Sequence, residues 1–247
     1  MQNETTRMTR IGPLLRTNKA AHLADVAVAF AVALAAILIV LPLVGDHPLA
    51  RQAVIWVANV VMLAVVWLGL RLRGQKWEHL GLSFRFAGWR PVVATILKSL
   101  VVFGAAMAAF VVGSVLMANI TGMPEAADTS AYDYLRGNLP MLLLALAAVY
   151  VVSSFGEEVI YRGFLITRLA ELGTGGTWAM RAAVTVSAVV FGLAHFDWGP
   201  MGIVQTGFMG LVLGVAYVVG RRRLWVLILA HAYMDTILMV QMYLPVE

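Results

Sequence analysis

The chain has 247 residues, of which 61% are hydrophobic and only 13% are charged, and it contains no cysteine. A soluble globular protein is about 45–50% apolar and about 25% charged. This composition therefore excludes a soluble globular protein and predicts an integral membrane protein. Disulfides and cysteine-ligated metals are excluded as well. The net charge of +5 does not indicate a nucleic-acid partner, because in a membrane protein the position of basic residues matters more than their sum.

Seven apolar stretches approach the length of about 20 residues that a membrane-spanning helix needs. They lie at 24–44, 53–70, 92–117, 140–160, 179–196, 201–219 and 224–243. The fourth keeps a helical pattern to about Leu172, where the GTGG sequence of residues 173–176 stops it. We therefore predict an all-α polytopic membrane protein with about seven transmembrane helices, the last four forming a bundle around a polar site.

Basic residues are concentrated in alternate loops. The N-terminal segment and the loops after spans two, four and six contain Arg7, Arg10, Arg16, Lys19, Arg71, Arg73, Lys76, Arg85, Arg90, Arg162, Arg168, Arg181, Arg221, Arg222 and Arg223. The other loops contain only Arg51 and Arg136, beside the acidic residues Asp46, Glu125, Asp128 and Asp133. The positive-inside rule then predicts a cytoplasmic N-terminus and an external C-terminus, in what we expect is a bacterial plasma membrane.

The loop between spans two and three mixes basic and large apolar residues. Between Arg71 and Arg90 it contains Trp77, Leu80, Leu82, Phe84, Phe86 and Trp89. Such a mixture is typical of an element that lies in the headgroup region of the membrane, so we predict a surface segment here. Gly207, Gly210 and Gly214, in span six, are predicted to let helices approach closely.

Ionisable residues inside membrane spans are costly and need a partner or water. Asp25 and Lys98 lie near span ends, where they can reach the interface. The C-terminal half places a second group in or near its apolar helices, consisting of Glu157, Glu158, His195, His231 and Asp235. These five residues are the candidates for chemistry.

Helical spacing adds pairings to this group. Glu158 and Arg162 are four residues apart, so they share a helix face and can form an ion pair, which is also the structural alternative to a catalytic role. Glu157 lies on an adjacent stripe and stays free to act as a general base or acid. His231 and Asp235 are again four apart.

Two chemical routes to hydrolysis are open to such residues. Two histidines and a carboxylate, here Glu158, His195 and His231, can hold a divalent metal such as zinc and activate its water. Alternatively, Glu157 activates water directly while His195 and Asp235 hydrogen-bond to the developing oxyanion. The H-E-x-x-H spacing of common zinc proteases is absent. Ser153, Ser154 and Ser187 are interpreted as helix-packing residues.

Three motifs occur in a fixed order: GEEVIYRGFL at 156–165, FGLAH at 191–195 and HAYMD at 231–235. Together they resemble the E-E-x-x-x-R, F-x-x-x-H and H-x-x-x-N/D motifs of the CPBP (CAAX protease and bacteriocin-processing) intramembrane proteases. The stretch FMGLVLGVAY at 208–217 is similar to that family's glycine-bearing helix. The resemblance covers about residues 140–240, which favours a protease core over 136–247 that follows N-terminal helices over 1–135 in one integral membrane domain.

The resemblance implies an intramembrane endopeptidase that acts on a peptide or membrane protein. Glu157 would be the base that activates water, and Glu158 and Arg162 would shape the site. His195 would share in water activation or metal binding, and His231 and Asp235 would complete the site. Asp235 stands where many members have Asn, and an Asp donates a hydrogen bond only when protonated, which favours a metal-binding or histidine-orienting role for it.

Two other functions are compatible with the same residues. A non-enzymatic membrane protein could modulate a partner or confer immunity to a bacteriocin by binding. A transporter could use Glu157, Glu158 and Asp235 for proton coupling, although the sequence has no inverted repeat.

By residue counting, His195 falls at the external end of span five, whereas Glu157 and His231 lie toward the cytoplasmic side. A shared site therefore requires span four to be displaced outward, or span five to start deep or tilt.

Overall fold

The computed structural model of the chain describes residues 12–83, 88–122, 129–173 and 176–244. Within these ranges the helices are α1 Gly12–Thr17, α2 Lys19–Val40, α3 Pro48–Leu72, α4 Trp89–Thr121, α5 Leu139–Val149, α6 Ile166–Leu172, α7 Thr177–Leu193, α8 Gly199–Val219 and α9 Leu224–Tyr243. A π-helical segment, Tyr150–Leu165, joins α5 to α6, and short 3₁₀ turns lie at Leu41–Leu43, Trp77–Leu80, Ser130–Leu135 and Phe196–Trp198. The described residues contain no strand, so the predicted all-α class is confirmed.

Six helices are long and apolar enough to cross a membrane: Lys19–Leu43, Pro48–Leu72, Trp89–Thr121, Leu139–Leu172, Phe196–Val219 and Leu224–Tyr243. Their large apolar side chains point outward as well as inward, with Val101 73% and Ile120 77% exposed. Such a surface is unfavourable in water and suits lipid. The predicted fifth span forms the shorter apolar helix α7, so the count of full-length spans is six among the described residues, not seven.

The basic loops lie together at one end of the bundle, here called the basic end. At this end Leu224 donates its backbone N–H to the Gly81 carbonyl, and the Tyr217 hydroxyl donates to the Leu80 carbonyl. At the opposite end, Gly137 N–H bonds the Tyr243 carbonyl.

The direction of the whole bundle in the membrane stays a prediction, as does the division at 135/136. Predictions on Arg7, Arg10, Phe84, Arg85, Phe86, Glu125 and Asp128 concern residues outside the described ranges.

An ion-pair network closes the basic end. Asp25 pairs with Arg73 and with Arg168 Nε at 3.2 Å, and Glu171 accepts from Arg168 at 2.8 Å and contacts His22 at 3.1 Å. The charge of Asp25 is therefore neutralised by two buried arginines and does not depend on water at the membrane interface. The network ties α2, α3 and α6 together.

The loop after α3 folds into the bundle and does not lie flat on the membrane. Leu80 is fully buried and Leu82 is 1% exposed, whereas Trp89 is 70% exposed. Gly81 makes this possible with φ +86°, since a Cβ there would lie 1.7 Å from the Arg222 carbonyl oxygen. The predicted surface segment is thus wrong for Leu80 and Leu82, because the adjacent backbone bonds α9 and lets both side chains pack in the core.

Helices α7 and α8 pack through small residues. A Cβ on Gly192 would lie 2.6 Å from the Ile203 carbonyl oxygen, and one on Gly210 would lie 2.9 Å from Phe191 Cδ1. A Cβ on Gly214 would meet Val184 at 2.9 Å. The predicted close approach at Gly210 and Gly214 is confirmed. It brings α8 against α7 and also close to Arg162, since a Cβ on Gly210 would lie 3.3 Å from Arg162 Nη2.

Candidate active site

The two adjacent glutamates lie on the π-helical segment. This segment ends with an i to i+5 bond from Ile166 N–H to the Tyr161 carbonyl, the wider turn that is rare in proteins and frequent at functional sites. Glu158 is fully buried, whereas the Glu157 side chain keeps 15% exposure. The segment thus turns one carboxylate into the core and leaves the other at the wall of a cavity.

Glu158 bonds two side chains in the core. Its Oε1 accepts from Arg162 Nη1 at 2.8 Å and from His231 Nδ1 at 2.8 Å. The predicted pair between Glu158 and Arg162 is confirmed. The Arg162 guanidinium also lies 4.1 Å from the centre of the Phe191 ring, a cation–π contact that further stabilises a buried charge.

Glu157 has different surroundings. Its Oε2 is buried and has no hydrogen-bond partner among the described residues. The nearest ring nitrogen, Nε2 of His231, lies 4.0 Å away. The same nitrogen is 3.8 Å from Asp235 Oδ1 and 3.4 Å from Ser153 Oγ. A free carboxylate oxygen therefore faces an imidazole nitrogen across a gap that direct hydrogen bonding does not close.

Two serines take part in this arrangement. Ser154 Oγ donates to Asp235 Oδ2 at 2.6 Å, and Ser153 Oγ contacts His231. Both hydroxyls therefore join the π-helical segment to α9, which agrees with the interpretation of Ser153 and Ser154 as helix-packing residues and adds polar contacts to His231 and Asp235. Ser187 donates to the Tyr161 carbonyl at 2.8 Å, an interhelical bond that joins α7 to the π-helical segment.

His195 lies just beyond the end of α7. Its Nδ1 bonds the Phe191 carbonyl at 2.8 Å, so that nitrogen carries the proton in the neutral ring and Nε2 is left as the acceptor. The Phe191 ring contacts both histidines, with centroids 4.8 Å from His195 and 6.3 Å from His231. The two histidines therefore flank one aromatic ring.

Helix lengths explain how His195 reaches the other residues. The helix Leu139–Leu172 has 34 residues, which exceeds the roughly 20 that a span needs, so Glu157 lies near its middle. The helix α7 has only 17 residues, about 25 Å at 1.5 Å per residue. Its end places the half-buried His195 in the wall of the cavity that Glu157 also lines, next to the exposed turn Phe196–Trp198.

A cavity of about 400 Å³ collects these groups. Glu157, His195, His231 and Asp235 all line it, whereas Glu158 and Arg162 are not among its described lining residues and lie behind the wall. The opposite walls come from α2, α3 and α4 and are mainly apolar. No sequence pattern indicated the wall residues Tyr132 and Trp198, since their contact joins two distant loops.

The proposed metal ligands do not converge. Among the residues that the structure describes, no three His, Cys, Asp or Glu side chains form a group that could hold a metal. Glu158 Oε1 already accepts from Arg162 and from His231 Nδ1, and a catalytic zinc usually needs three protein ligands. The arrangement present does not fit a site made of Glu158, His195 and His231.

An apolar helical bundle that encloses carboxylates and imidazoles in a cavity defines a polytopic membrane protein with the groups needed for hydrolysis. Residues 139–237, from α5 into α9, match the family of type II CAAX prenyl endopeptidase Rce1-like proteins. The three motifs lie within this matched region, which is that of a CAAX-type endopeptidase, so the predicted resemblance to CAAX-type intramembrane proteases is confirmed for residues 139–237. No curated protein and no solved structure matches the chain.

Proposed function

We propose that this protein hydrolyses a peptide bond in a membrane-associated protein or peptide, with water activated by Glu157. The observation that carries the proposal is the Glu157 Oε2 atom, which has no hydrogen-bond partner among the described residues and lies beside the cavity, 4.0 Å from His231 Nε2. A positioned carboxylate with a free oxygen can accept a proton from attacking water.

The proposed reaction proceeds in two steps. Glu157 takes a proton from water as the water oxygen bonds to the carbonyl carbon, and the carbonyl π electrons move to its oxygen. The oxyanion then collapses, the carbon–nitrogen bond breaks, and the leaving amine takes the proton from Glu157. The cavity wall supplies both the base and the neighbouring imidazoles.

His231 is the residue that we assign to the oxyanion. Glu158 holds His231 Nδ1–H at 2.8 Å, which fixes the ring and favours an imidazolium whose Nε2–H faces the cavity, as in other carboxylate–histidine pairs. Neutral His195 offers only Nε2 as an acceptor, so it suits the positioning of water. Asp235, held by Ser154, positions His231. Glu158 and Arg162 are likewise positioning residues.

His231→Asn tests the function directly. The Asn amide can still donate to Glu158, but it lacks the nitrogen that faces Glu157 and Asp235. We expect purified, reconstituted protein to lose cleavage of a membrane-bound reporter peptide by a factor of about 10² or more, with its thermal unfolding preserved. Tyr233→Phe is the matched control on α9, since its hydroxyl contacts Ser99 on α4 at 3.2 Å and not the cavity. Full activity in His231→Asn would refute the assignment.

Removal of metal tests the metal-dependent route to hydrolysis. Because Glu158 is already bound by Arg162 and His231, we expect 1,10-phenanthroline to leave the cleavage rate unchanged. Elemental analysis of the purified protein should show no stoichiometric zinc. A rate lost to the chelator and restored by added zinc would establish the metal-dependent alternative.

A further inference from the structure

A second cavity lies at the basic end of the bundle, and none of its described lining residues lines the cavity of Glu157. Its volume is about 240 Å³. The walls come from α6, α7 and the loop between α8 and α9 and include Thr167, Ala170, Glu171, Ala179, Met180 and Arg222. We call this cavity the basic-end cleft. Its described wall combines apolar side chains with an arginine and a carboxylate.

The carboxylate of Glu171 does not neutralise Arg222. Glu171 Oε2 accepts from Arg168 at 2.8 Å and contacts His22 at 3.1 Å. Its Oε1 contacts His79 at 3.1 Å. Both oxygens are therefore engaged in the ion-pair network that closes this end. Within the described part of the chain the Arg222 side chain forms no ion pair, so its charge is available to a ligand.

The backbone fixes Arg222 in place. Arg221 and Arg222 have φ values of +57° and +58°, a left-handed conformation that residues other than glycine seldom adopt. Arg222 N–H bonds the Tyr217 carbonyl at 2.7 Å, and its own carbonyl oxygen packs against Gly81. Backbone of this kind persists where the surrounding structure holds it, and it clusters at functional sites. The backbone of this arginine therefore needs no ordering when a ligand binds, which lowers the cost of binding.

The side chain of Arg222 lies beside the polar part of the cleft. Its charge is close enough to act on the Tyr217 hydroxyl, which lies 3.5 Å from Thr167 Oγ1 in the cleft wall. Ala179 and Met180 supply apolar surface from α7. A guanidinium next to apolar surface suits a ligand that has a phosphate at one end and hydrocarbon at the other, because guanidinium binds phosphate through two parallel hydrogen bonds.

Three exposed tryptophans at the basic end each lie beside an arginine. The distances from cation to ring centre are 5.4 Å for Arg71 and Trp67, 5.7 Å for Arg90 and Trp89, and 5.3 Å for Arg181 and Trp178. Trp178 is 79% exposed and directly precedes Ala179 of the cleft wall. Exposed tryptophan is typical of the headgroup level of a membrane. This places the cleft within reach of a lipid phosphate.

The charge at the basic end favours an anionic lipid over a zwitterionic one. The ion-pair network matches Asp25 and Glu171 with two buried arginines. Among the other described residues at this end the acidic one is Glu78, and the cations are Arg16, Lys19, Arg71, Lys76, Arg90, Arg181, Arg221, Arg222 and Arg223. Basic clusters beside membrane helices attract anionic lipids, and basic pockets between helices bind their head groups.

We propose that the basic-end cleft binds the head group of an anionic phospholipid from the adjoining membrane leaflet, with the phosphate on Arg222 and the start of the acyl chains against Ala179 and Met180. The proposal does not depend on the proteolytic function, because the described walls of the two cavities share no residue. A lipid bound here ties α6 and α7 to the loop before α9. It therefore stabilises the folded bundle, since the unfolded chain has no cleft to bind it.

Arg222→Gln and Arg221→Gln form a matched pair. Each removes one charge from the same loop at a residue with left-handed backbone, but Arg221 is exposed and absent from the described cleft wall. Purified full-length protein in detergent micelles is titrated with phosphatidylglycerol or with phosphatidylcholine, and bound lipid is counted by native mass spectrometry. Thermal unfolding in the same micelles records whether the bound lipid stabilises the fold.

We expect Arg222→Gln to weaken phosphatidylglycerol binding by about tenfold or more, the usual effect of losing a hydrogen bond to a charged group. Arg221→Gln should change it by about twofold or less, because an exposed charge contributes little. Wild type should bind and be stabilised by phosphatidylglycerol in preference to phosphatidylcholine. Ala170→Leu, which fills the cleft without changing its charge, should also weaken binding, and it replaces Arg222→Gln if that variant does not fold.

Equal losses in Arg221→Gln and Arg222→Gln would overturn the cleft as a site and leave only diffuse attraction between charges. Equal binding of the two lipids by wild type would overturn the selection of an anionic head group. Displacement of bound phosphatidylglycerol by an excess of inorganic phosphate would show that the cleft recognises a free anion and not a lipid.

Discussion

Glu157→Gln should lower kcat/KM for a reporter peptide by about 10²–10⁴, the usual contribution of a general base. The amide fills the same space but cannot take a proton from water. Stability should change by no more than about 0.5 kcal/mol, because Glu157 Oε2 has no hydrogen-bond partner among the described residues. Steady-state cleavage and thermal unfolding in the same detergent measure the two effects on one preparation.

Ser153→Ala is the control that isolates this role. Ser153 Oγ lies 3.4 Å from His231 Nε2, and His231 Nδ1 bonds Glu158, the order of groups that elsewhere activates a serine nucleophile. If water is the nucleophile, Ser153→Ala should keep most of the activity. Loss of activity in Ser153→Ala together with its retention in Glu157→Gln would transfer the nucleophilic role to the serine.

Glu158→Gln should lower the stability of the protein, whereas Glu157→Gln should lower its activity and leave its stability almost unchanged. The Arg162 side chain is 1% exposed and Glu158 is fully buried, so removing the carboxylate leaves a guanidinium in the core without its counter-charge. Breaking a buried ion pair in this way costs about 3–5 kcal/mol. The variant should unfold at a clearly lower denaturant concentration than either wild type or Glu157→Gln.

The double variant Glu158→Leu with Arg162→Met gives this prediction its internal check. Replacing both partners by apolar residues removes the unpaired charge, so the loss of stability should be smaller than in Glu158→Gln alone. Activity should stay low in the double variant, since His231 has lost the acceptor for its Nδ1–H. A Glu158→Gln protein as stable as Glu157→Gln would show that the buried pair does not support the fold.

The sequence by itself determined the features that depend on local chemistry. Long apolar runs predicted the helices and their membrane setting, because hydrophobic length and period are properties of a single segment. The spacing of Glu158 and Arg162 predicted their pair, which the structure shows at 2.8 Å. The order of the three motifs indicated the family that residues 139–237 match.

Only the tertiary structure decided how these segments meet. The π-helical segment separates Glu157 from Glu158, and its hydroxyls at Ser153 and Ser154 bond residues of α9. The short α7 brings His195 beside Phe191, which also contacts His231. These relations join residues up to 81 positions apart. They depend on helix lengths, turn geometry and packing between segments, and no periodicity within one segment encodes those.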